Sequence, residues 1–196
     1  PDYRRESPVR DSDADAVRML RDAGASVRGI AQTDEFAYSF AGTNIHYGTP
    51  PNPRAPGRIS GGSSSGPASA VACGQADIGL GTDTAGSIRI PAAYQGLWGI
   101  RTTHDRVSRA GVHPLSSSFD TVGVLARTHG VLAAATSVLV GVVAVSAIEP
   151  VMLLSPGLCD PVESDVSASF SGFVHVIRSL SAYRCMRMSI DDSLFN

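Results

Sequence analysis

Two glycine-rich segments carry hydroxyl groups at spacings that could support chemistry. Residues 61–66 read GGSSSG and residues 81–91 read GTDTAGSIRIP. On a glycine-rich bend, main-chain N–H groups can point into one concavity and stabilise an oxyanion, because fixed dipoles face the developing charge. A serine on such a bend becomes a nucleophile only when a base takes its proton. Either segment alone is typical of an ordinary turn, so any chemistry depends on the two occurring together.

The first segment also fits G-x-S-x-G, the nucleophile elbow of α/β-hydrolases, with Ser64 as the nucleophile of a serine esterase. Asp120 and His129 would follow it in the right chain order. A strand should precede such an elbow, whereas a proline-rich loop at residues 46–62 precedes this one, so this alternative is the weaker. The segment is not a phosphate-binding loop, because the ending G-K-[ST] is absent. The five histidines lack metal-ligand spacing, and we expect neither a metal nor a cofactor.

Hydrophobic spacing and turn residues predict the elements that would hold these loops. We expect a helix over residues 11–23, a strand over 26–32 and a second helix that begins after Thr33. This alternation favours an α/β fold. Between the two loops, the small residues 66–74 predict a closely packed helix, and residues 78–81 predict a buried strand.

The last third of the chain gives weaker signals. Residues 131–148 are uncharged, but their alanine, serine and threonine content indicates a buried helix rather than a membrane span. Residues 151–154 fit a strand. Apolar residues spaced four and three apart predict a later amphipathic helix, namely Val166, Phe170, Phe173, Ile177 and Leu180. We therefore expect a core over residues 1–150 and a strand-helix extension of the same domain over 151–196.

Composition and charge narrow the possible partners. Hydrophobic residues make up 43% of the 196 residues, which excludes a wholly disordered chain. The net charge of −2 favours neither nucleic acid nor an anionic membrane as a partner. All 16 basic residues are arginine, so this chain supplies no lysine side chain. Three widely spaced cysteines and a polar N-terminal segment predict neither a disulfide framework nor a signal peptide, and we expect a cytoplasmic location.

The two loops together resemble the signature of the amidase signature family. In that family a GGSS[SG]G loop is followed by a small-residue helix and by GTDxGGS[IV]RxPA. This chain reads GGSSSGPASAVACGQADIGLGTDTAGSIRIPAA over residues 61–93. The resemblance continues through GLWGIR at 96–101 and SFDTVG at 118–123, and it covers residues 12–130.

Two upstream segments resemble the branch of the family that contains indole-acetamide hydrolases, DEFAYS at 34–39 and HYGTP at 46–50. The resemblance implies the α/β amidase-signature fold, a mixed β-sheet core with helices on both faces, here truncated at both ends. It also implies an amidase that hydrolyses a small carboxamide to a carboxylate and ammonia. The identity of the substrate and a homo-oligomeric state stay open.

The resemblance implies roles for individual residues. Ser87 would be the nucleophile and carry an acyl group. Ser63, which lies 24 residues earlier and on a cis peptide in the family, would relay the proton between Ser87 and a lysine. Asp83 and Arg89 would brace the second loop. Four consecutive main-chain N–H groups would form the oxyanion hole, those of Thr84, Ala85, Gly86 and Ser87.

The chain also departs from the family pattern. The family's lysine lies further upstream of the first serine than the 62 residues that precede Ser63 here, so the triad would have to be completed outside this chain. Ala85 stands where the family has glycine, and a positive φ there would cost an alanine about 1–2 kcal/mol. Asp105 also stands where glycine is common. A catalytically inactive amidase-like fragment or binding module is therefore the alternative to an active amidase.

Overall fold

The structure, a computed structural model, describes residues 11–141, 151–154, 168 and 184–187. The chain divides into two compact units, residues 1–143 and 144–196. The described part of the first unit holds four α-helices, one turn of 3-10 helix at Glu35–Ala37 and three strands. The helices are α1 (Asp15–Asp22), α2 (Ser65–Ala72), α3 (Arg89–Gln95) and α4 (His129–Val140). The strands are β1 (Ile78–Asp83), β2 (Trp98–Ile100) and β3 (Thr121–Ala126).

The three strands form one sheet in the order β1-β3-β2, with both neighbouring pairs antiparallel. Asp83, the last residue of β1, pairs with Thr121, the first residue of β3. Ile100, the last residue of β2, pairs with Val124 of β3. Because β1 and β2 flank β3 and run in the same direction, the residues that follow them leave the sheet toward the same end.

Every residue of the central strand β3 is buried, and its two faces serve two separate cores. Val122, Val124 and Ala126 join a cluster that includes Ala16 and Leu20 of α1, together with the α4 residues Leu132, Ala135 and Leu139. Leu125, on the other face, packs with Ala68, Ile88 and Ala92 from the region of α2 and α3. This alternation follows the two-residue period of a strand. It confirms the predicted α/β fold with helices on both faces of the sheet.

The described part of the second unit is a parallel pair of strands, β4 (Val151–Leu154) and β5 (Arg184–Arg187), with Val151 opposite Arg184. The strand predicted at residues 151–154 is therefore confirmed. The amphipathic helix predicted around Phe170, Phe173 and Ile177 lies outside the described residues. That residues 151–196 extend the same domain as residues 1–150 stays a prediction.

The segment between α1 and the first glycine loop differs from the prediction. Residues 26–32 form no strand, and the helix predicted after Thr33 is replaced by the single 3-10 turn Glu35–Ala37. Inside this turn Phe36 has a φ of 52°, which no regular helix tolerates. Val27 and Ile30, the apolar residues behind the strand prediction, are 62% and 96% exposed. These two apolar side chains are therefore not buried in this unit, and the strand predicted from them is wrong.

The uncharged stretch after residue 130 forms α4, which ends at Val140 and buries Leu132, Ala135 and Leu139. This confirms the predicted buried helix over the described part of that stretch. Among the described residues, no helix reaches the length and apolarity that crossing a membrane requires. Cys73, which follows α2, is an exposed free thiol.

Candidate active site

The loop that carries Ser63 is held by the segment upstream of it. The Gly62–Ser63 peptide bond is cis. The Gly62 N–H donates to the Phe40 carbonyl at 2.8 Å, and the Asp34 N–H donates to the Ser63 carbonyl at 3.1 Å. Ser63 is only 1% exposed. The irregular backbone of residues 34–40, which a helix would have consumed in its own hydrogen bonds, is therefore used to fix the serine loop.

Glycines allow this loop to lie against its neighbours. A Cβ at Gly62 would collide with the Asp34 carboxylate and would lie 2.7 Å from the Gly42 nitrogen. A Cβ at Gly81 of β1 would collide with Ser64 Oγ. Two glycines that the sequence showed only as turn or strand residues are thus required by close approach of the surrounding atoms.

The two glycine-rich loops meet at a main-chain hydrogen bond. The Ser64 N–H donates to the Ser87 carbonyl at 3.1 Å, while the Ser64 hydroxyl donates to the Thr82 carbonyl at 3.3 Å. Ser87 is 2% exposed and lies at the start of the turn into α3. The expected juxtaposition of the two loops is therefore present, with Ser63 and Ser87 both buried.

Asp83, at the end of β1, organises the Ser87 loop through its buried carboxylate. It accepts hydrogen bonds from the main-chain N–H groups of Gly86 (2.8 Å), Ile88 (3.2 Å) and Arg89 (3.3 Å). The Arg89 guanidinium adds two side-chain bonds of 3.0 Å each. Burial by itself would raise the pKa of Asp83, but the bonds from Arg89 and from the N–H groups outweigh it and lower this pKa. The contacts between Asp83 and Arg89 fit the bracing role that the resemblance implies.

Arg101, directly after β2, is a contact residue to which sequence reasoning gave no role. Its Nη1 donates to the carbonyls of Asp83 and Thr84, the latter at 3.0 Å, and lies 3.2 Å from Asp83 Oδ1. Its Nη2 donates to the Phe119 carbonyl at 2.7 Å. The sequence signal that could have indicated this contact is the position of Arg101, because a residue directly after β2 leaves the sheet at the same end as Asp83.

The four N–H groups predicted to form the oxyanion hole are not equivalent. The Gly86 N–H donates to the Asp83 carboxylate. It is therefore not free to bind an oxyanion, and the prediction that includes Gly86 among the oxyanion donors is corrected. Within the described part of the chain, the N–H groups of Thr84, Ala85 and Ser87 have no hydrogen-bond partner. These three groups fit the expected set of donors.

Ala85 does not carry the strain that its position could have imposed. Among the described residues other than glycine, only Phe36, Ala37 and Asp105 have positive φ. The residue that does need to be glycine is Gly86, with a φ of 141° and a hypothetical Cβ 2.7 Å from Ile90 Cδ1. Asp105 has a φ of 60°, in the left-handed region that favours glycine, which agrees with the glycine of the family pattern that the resemblance implies there.

Asp120 fastens the Ser87 loop to the segment before β3. Its carboxylate accepts the Thr84 hydroxyl at 2.6 Å and the N–H groups of Leu115 and Ser116. Burial would raise the pKa of Asp120, and the bonds from Thr84, Leu115 and Ser116 outweigh it and lower this pKa.

In the described part of the chain, no hydrogen bond joins the residues of the esterase alternative, Ser64, Asp120 and His129. No strand precedes Ser64 within residues 11–63, Asp120 is bound to Thr84, and the His129 ring packs edge-on against Trp98 at a centroid distance of 5.6 Å. Among the described residues, no group of three or more histidine, cysteine, aspartate or glutamate side chains could hold a metal ion.

Asp34 is a second buried carboxyl that sequence reasoning left without a role. It is 1% exposed, and its Oδ2 accepts the Gly42 N–H at 3.1 Å. Its Oδ1 is buried without a hydrogen-bond partner in the described region. Burial raises the pKa of Asp34, against the opposing hydrogen bonds from Gly42 and Ser39. No composition or spacing signal distinguishes this aspartate from an exposed one.

Comparison with known proteins agrees with this geometry. A family model described as Amidase matches residues 5–164. The chain is 42% identical to Amidase 1 of Arabidopsis thaliana over 184 residues, which are 88% of this chain and 43% of that protein. It is 49% identical to an indoleacetamide hydrolase of Pseudomonas savastanoi over 62% of this chain and 27% of that one.

A solved amidase structure superposes on 93% of this chain and 42% of its own, with a TM-score of 0.84 and 35% sequence identity. The chain thus spans less than half the length of the relatives that it matches. Because the family model covers most of the chain and includes both serine loops, the chain belongs to the amidase family.

Proposed function

We propose that the protein that carries this chain hydrolyses small carboxamides through an acyl group on Ser87. The observation that supports this most directly is the Ser64 N–H to Ser87 carbonyl bond, because it joins the two serine loops while both Ser63 and Ser87 are buried. The N–H groups of Thr84, Ala85 and Ser87, which have no partner among the described residues, supply donors for an oxyanion beside that nucleophile.

The proposed reaction begins when Ser87 Oγ attacks the amide carbon and its proton passes through the Ser63 hydroxyl to a base. The carbonyl oxygen becomes an oxyanion, which the main-chain N–H groups stabilise. The C–N bond then breaks, and the nitrogen leaves as ammonia with the proton returned through Ser63. Water next attacks the acyl group, and the carboxylate leaves with Ser87 restored.

The lysine that serves as the base of this proposal lies outside the 196 residues. The chain has no lysine, and its 16 arginines stay protonated in proteins and are therefore poor proton acceptors. The family resemblance implies a lysine, and the relatives are more than twice as long as the region matched here. Because a general base contributes about 10²–10⁴-fold in rate, the isolated chain should show trace activity at most.

The substrate class that we propose is a small primary carboxamide, with an aryl-acetamide as the first candidate. Support comes from the relative named indoleacetamide hydrolase, at 49% identity. We also propose a cytoplasmic location, in keeping with the exposed free thiol of Cys73, which cell fractionation would test.

The test uses the protein extended upstream to include a lysine and follows ammonia release from acetamide, phenylacetamide and indole-3-acetamide. We expect Ser87→Ala to abolish turnover and Ser63→Ala to reduce it by at least 10²-fold, the scale of a lost proton relay. Ser137→Ala in α4 is the matched control and should leave the rate unchanged, because its hydroxyl donates to the Ala133 carbonyl within the same helix.

Two outcomes would contradict the proposal. Full turnover by Ser87→Ala would remove it as the nucleophile, and loss of turnover in Ser64→Ala alone would favour the esterase alternative. Hydrolysis by the isolated 196-residue chain at the rate of the extended protein would show that no outside base is needed.

A further inference from the structure

The Arg101 guanidinium donates hydrogen bonds to oxygen atoms of the Ser87 loop. Its Nη1 donates to two consecutive main-chain carbonyls, those of Asp83 and Thr84. The Asp83 carbonyl also accepts the Thr121 hydroxyl at 2.9 Å. Arg101 is 23% exposed, so these contacts are shielded from water over most of the side chain.

These contacts determine where the adjoining N–H groups point. The peptide bonds that follow Asp83 and Thr84 are trans, since among the described residues only Gly62–Ser63 is cis. In a trans peptide the N–H points opposite to the C=O. Two carbonyls that converge on one guanidinium nitrogen therefore direct the N–H groups of Thr84 and Ala85 away from Arg101.

The same two N–H groups have no partner among the described residues. In the described part of the chain, no hydrogen bond on the N–H side therefore opposes a rotation of either peptide. The Arg101 contacts oppose that rotation, since each rotation would remove a carbonyl from the guanidinium.

We infer that Arg101 is a positioning residue that preorganises the oxyanion hole by holding the Asp83 and Thr84 carbonyls on the side opposite to the substrate. This inference rests on the proposed function, because it assigns a role only if an oxyanion forms beside Ser87. Arg101 itself touches no reacting atom. Its effect is on the orientation of the Thr84 and Ala85 N–H groups.

A second arginine provides a matched control. Arg127, directly after β3, uses Nη1 to bind two main-chain carbonyls, Val71 at 2.6 Å and Ala76 at 2.8 Å, and Nη2 to bind Asp77. It lies at the opposite end of the β1–β3 pair from Asp83, since Ala126 pairs with Ile78. Arg127→Met therefore removes the same kind of contact without reaching the Ser87 loop.

The experiment compares Arg101→Met, Arg101→Lys and Arg127→Met in the upstream-extended protein, with kcat and KM measured for the best amide of the panel. Removing one oxyanion donor costs about 10²–10³-fold in kcat, so we expect Arg101→Met to lose about 10²-fold in kcat with KM within about threefold. Arg101→Lys should recover kcat to within about tenfold, because one nitrogen makes both carbonyl contacts.

Arg127→Met should keep the kcat of the unmodified protein. If Arg101→Met fails to fold, the kcat of Arg101→Gln relative to Arg127→Gln decides, because the shorter neutral amide cannot reproduce the contacts of one guanidinium nitrogen with two carbonyls, and equal values would overturn the inference. A kcat for folded Arg101→Met equal to that of Arg127→Met would also overturn it. If Ser87→Ala retains turnover in the same assay, the proposed function itself fails, and the two failures are thereby distinguished.

Discussion

Asp83, in the loop of Ser87, and Asp34, beside Ser63, are equally buried but differ in the partners of their carboxylates. They are 0% and 1% exposed. Asp83 accepts three main-chain N–H bonds and contacts both Arg89 and Arg101, whereas Asp34 accepts the Gly42 N–H and keeps Oδ1 unpartnered in the described region. Their pKa values shift in opposite directions, down for Asp83 and up for Asp34.

The difference shows that burial alone does not decide the charge of a carboxyl group. Desolvation raises the pKa in both places, and only the loop of Ser87 supplies enough donors to reverse that effect. The charge of Asp83 therefore holds the fold of its loop, whereas the charge of Asp34 opposes the burial of its own side chain.

The largest effect that would test this comparison is the removal of the Asp83 carboxylate. Asp83→Ala leaves the N–H groups of Gly86, Ile88 and Arg89 without their acceptor and Arg101 without its anion. We expect a loss of about 3 kcal/mol in the free energy of unfolding, measured by urea denaturation at pH 7.

The control for this variant is Asp77→Ala. Asp77 also binds an arginine, Arg127, at 2.8 Å, but its side chain is 82% exposed. Because exposed ion pairs contribute little, we expect a loss below about 1 kcal/mol. Equal losses in the two variants would mean that burial of Asp83 adds nothing to its contribution.

A smaller effect of opposite pH dependence is expected at Asp34. Its raised pKa means that the folded state favours the neutral acid, so its contribution is fully present below the ordinary aspartate pKa and is lost as pH rises through the folded pKa. Asp34→Asn, which stays neutral, should therefore gain stability relative to the unmodified protein as the pH rises from 3 to 7.

The measurement for Asp34 is the free energy of unfolding across that pH range. Asp83→Asn provides the contrast, because the lowered pKa of Asp83 means that its contribution is present above the ordinary aspartate pKa and disappears in acid. Asp83→Asn should therefore lose stability relative to the unmodified protein as pH rises. Parallel curves for the two variants would refute the distinction between the two aspartates.

The smallest effect concerns Ala85, in the loop that Asp83 organises. Its φ is not positive, so alanine is unstrained there and glycine would only add freedom to the unfolded chain. We expect Ala85→Gly to lower the free energy of unfolding, measured by urea denaturation, by about 0.5–1 kcal/mol. A gain in stability of 1–2 kcal/mol would instead indicate the strain that the family's glycine suggested.

The sequence alone allowed part of the site to be predicted. The motif at residues 61–93 was sufficient to expect that the two serine loops meet, because it resembles the amidase signature, in which the two loops supply serines to one site. Strand β1 and helix α2 also followed from local pattern. These are short-range features, in which the residues that determine the structure lie next to it in the chain.

Other parts of the site depend on contacts between segments that are distant in sequence. Val27 and Ile30 look like strand residues, but the chain near them is bound instead through its main chain, as in the Gln32 carbonyl that accepts the Gly66 N–H at 2.9 Å. The role of Arg101 depends on the antiparallel register of β3 with two strands. Neither register nor main-chain pairing across loops leaves a local pattern.

The glycines Gly79 and Gly81 on one face of β1 affect the position of Ser63 relative to Ser87. At Gly79 a Cβ would lie 2.9 Å from the Pro67 carbonyl oxygen of α2, and at Gly81 it would collide with Ser64 Oγ. Helix α2 and the serine loop before it thus rest on the sheet with no side chain between them. A methyl group added at Gly79 or Gly81 would push α2 and the serine loop away from the sheet. This movement would separate the hydroxyl groups of Ser63 and Ser87.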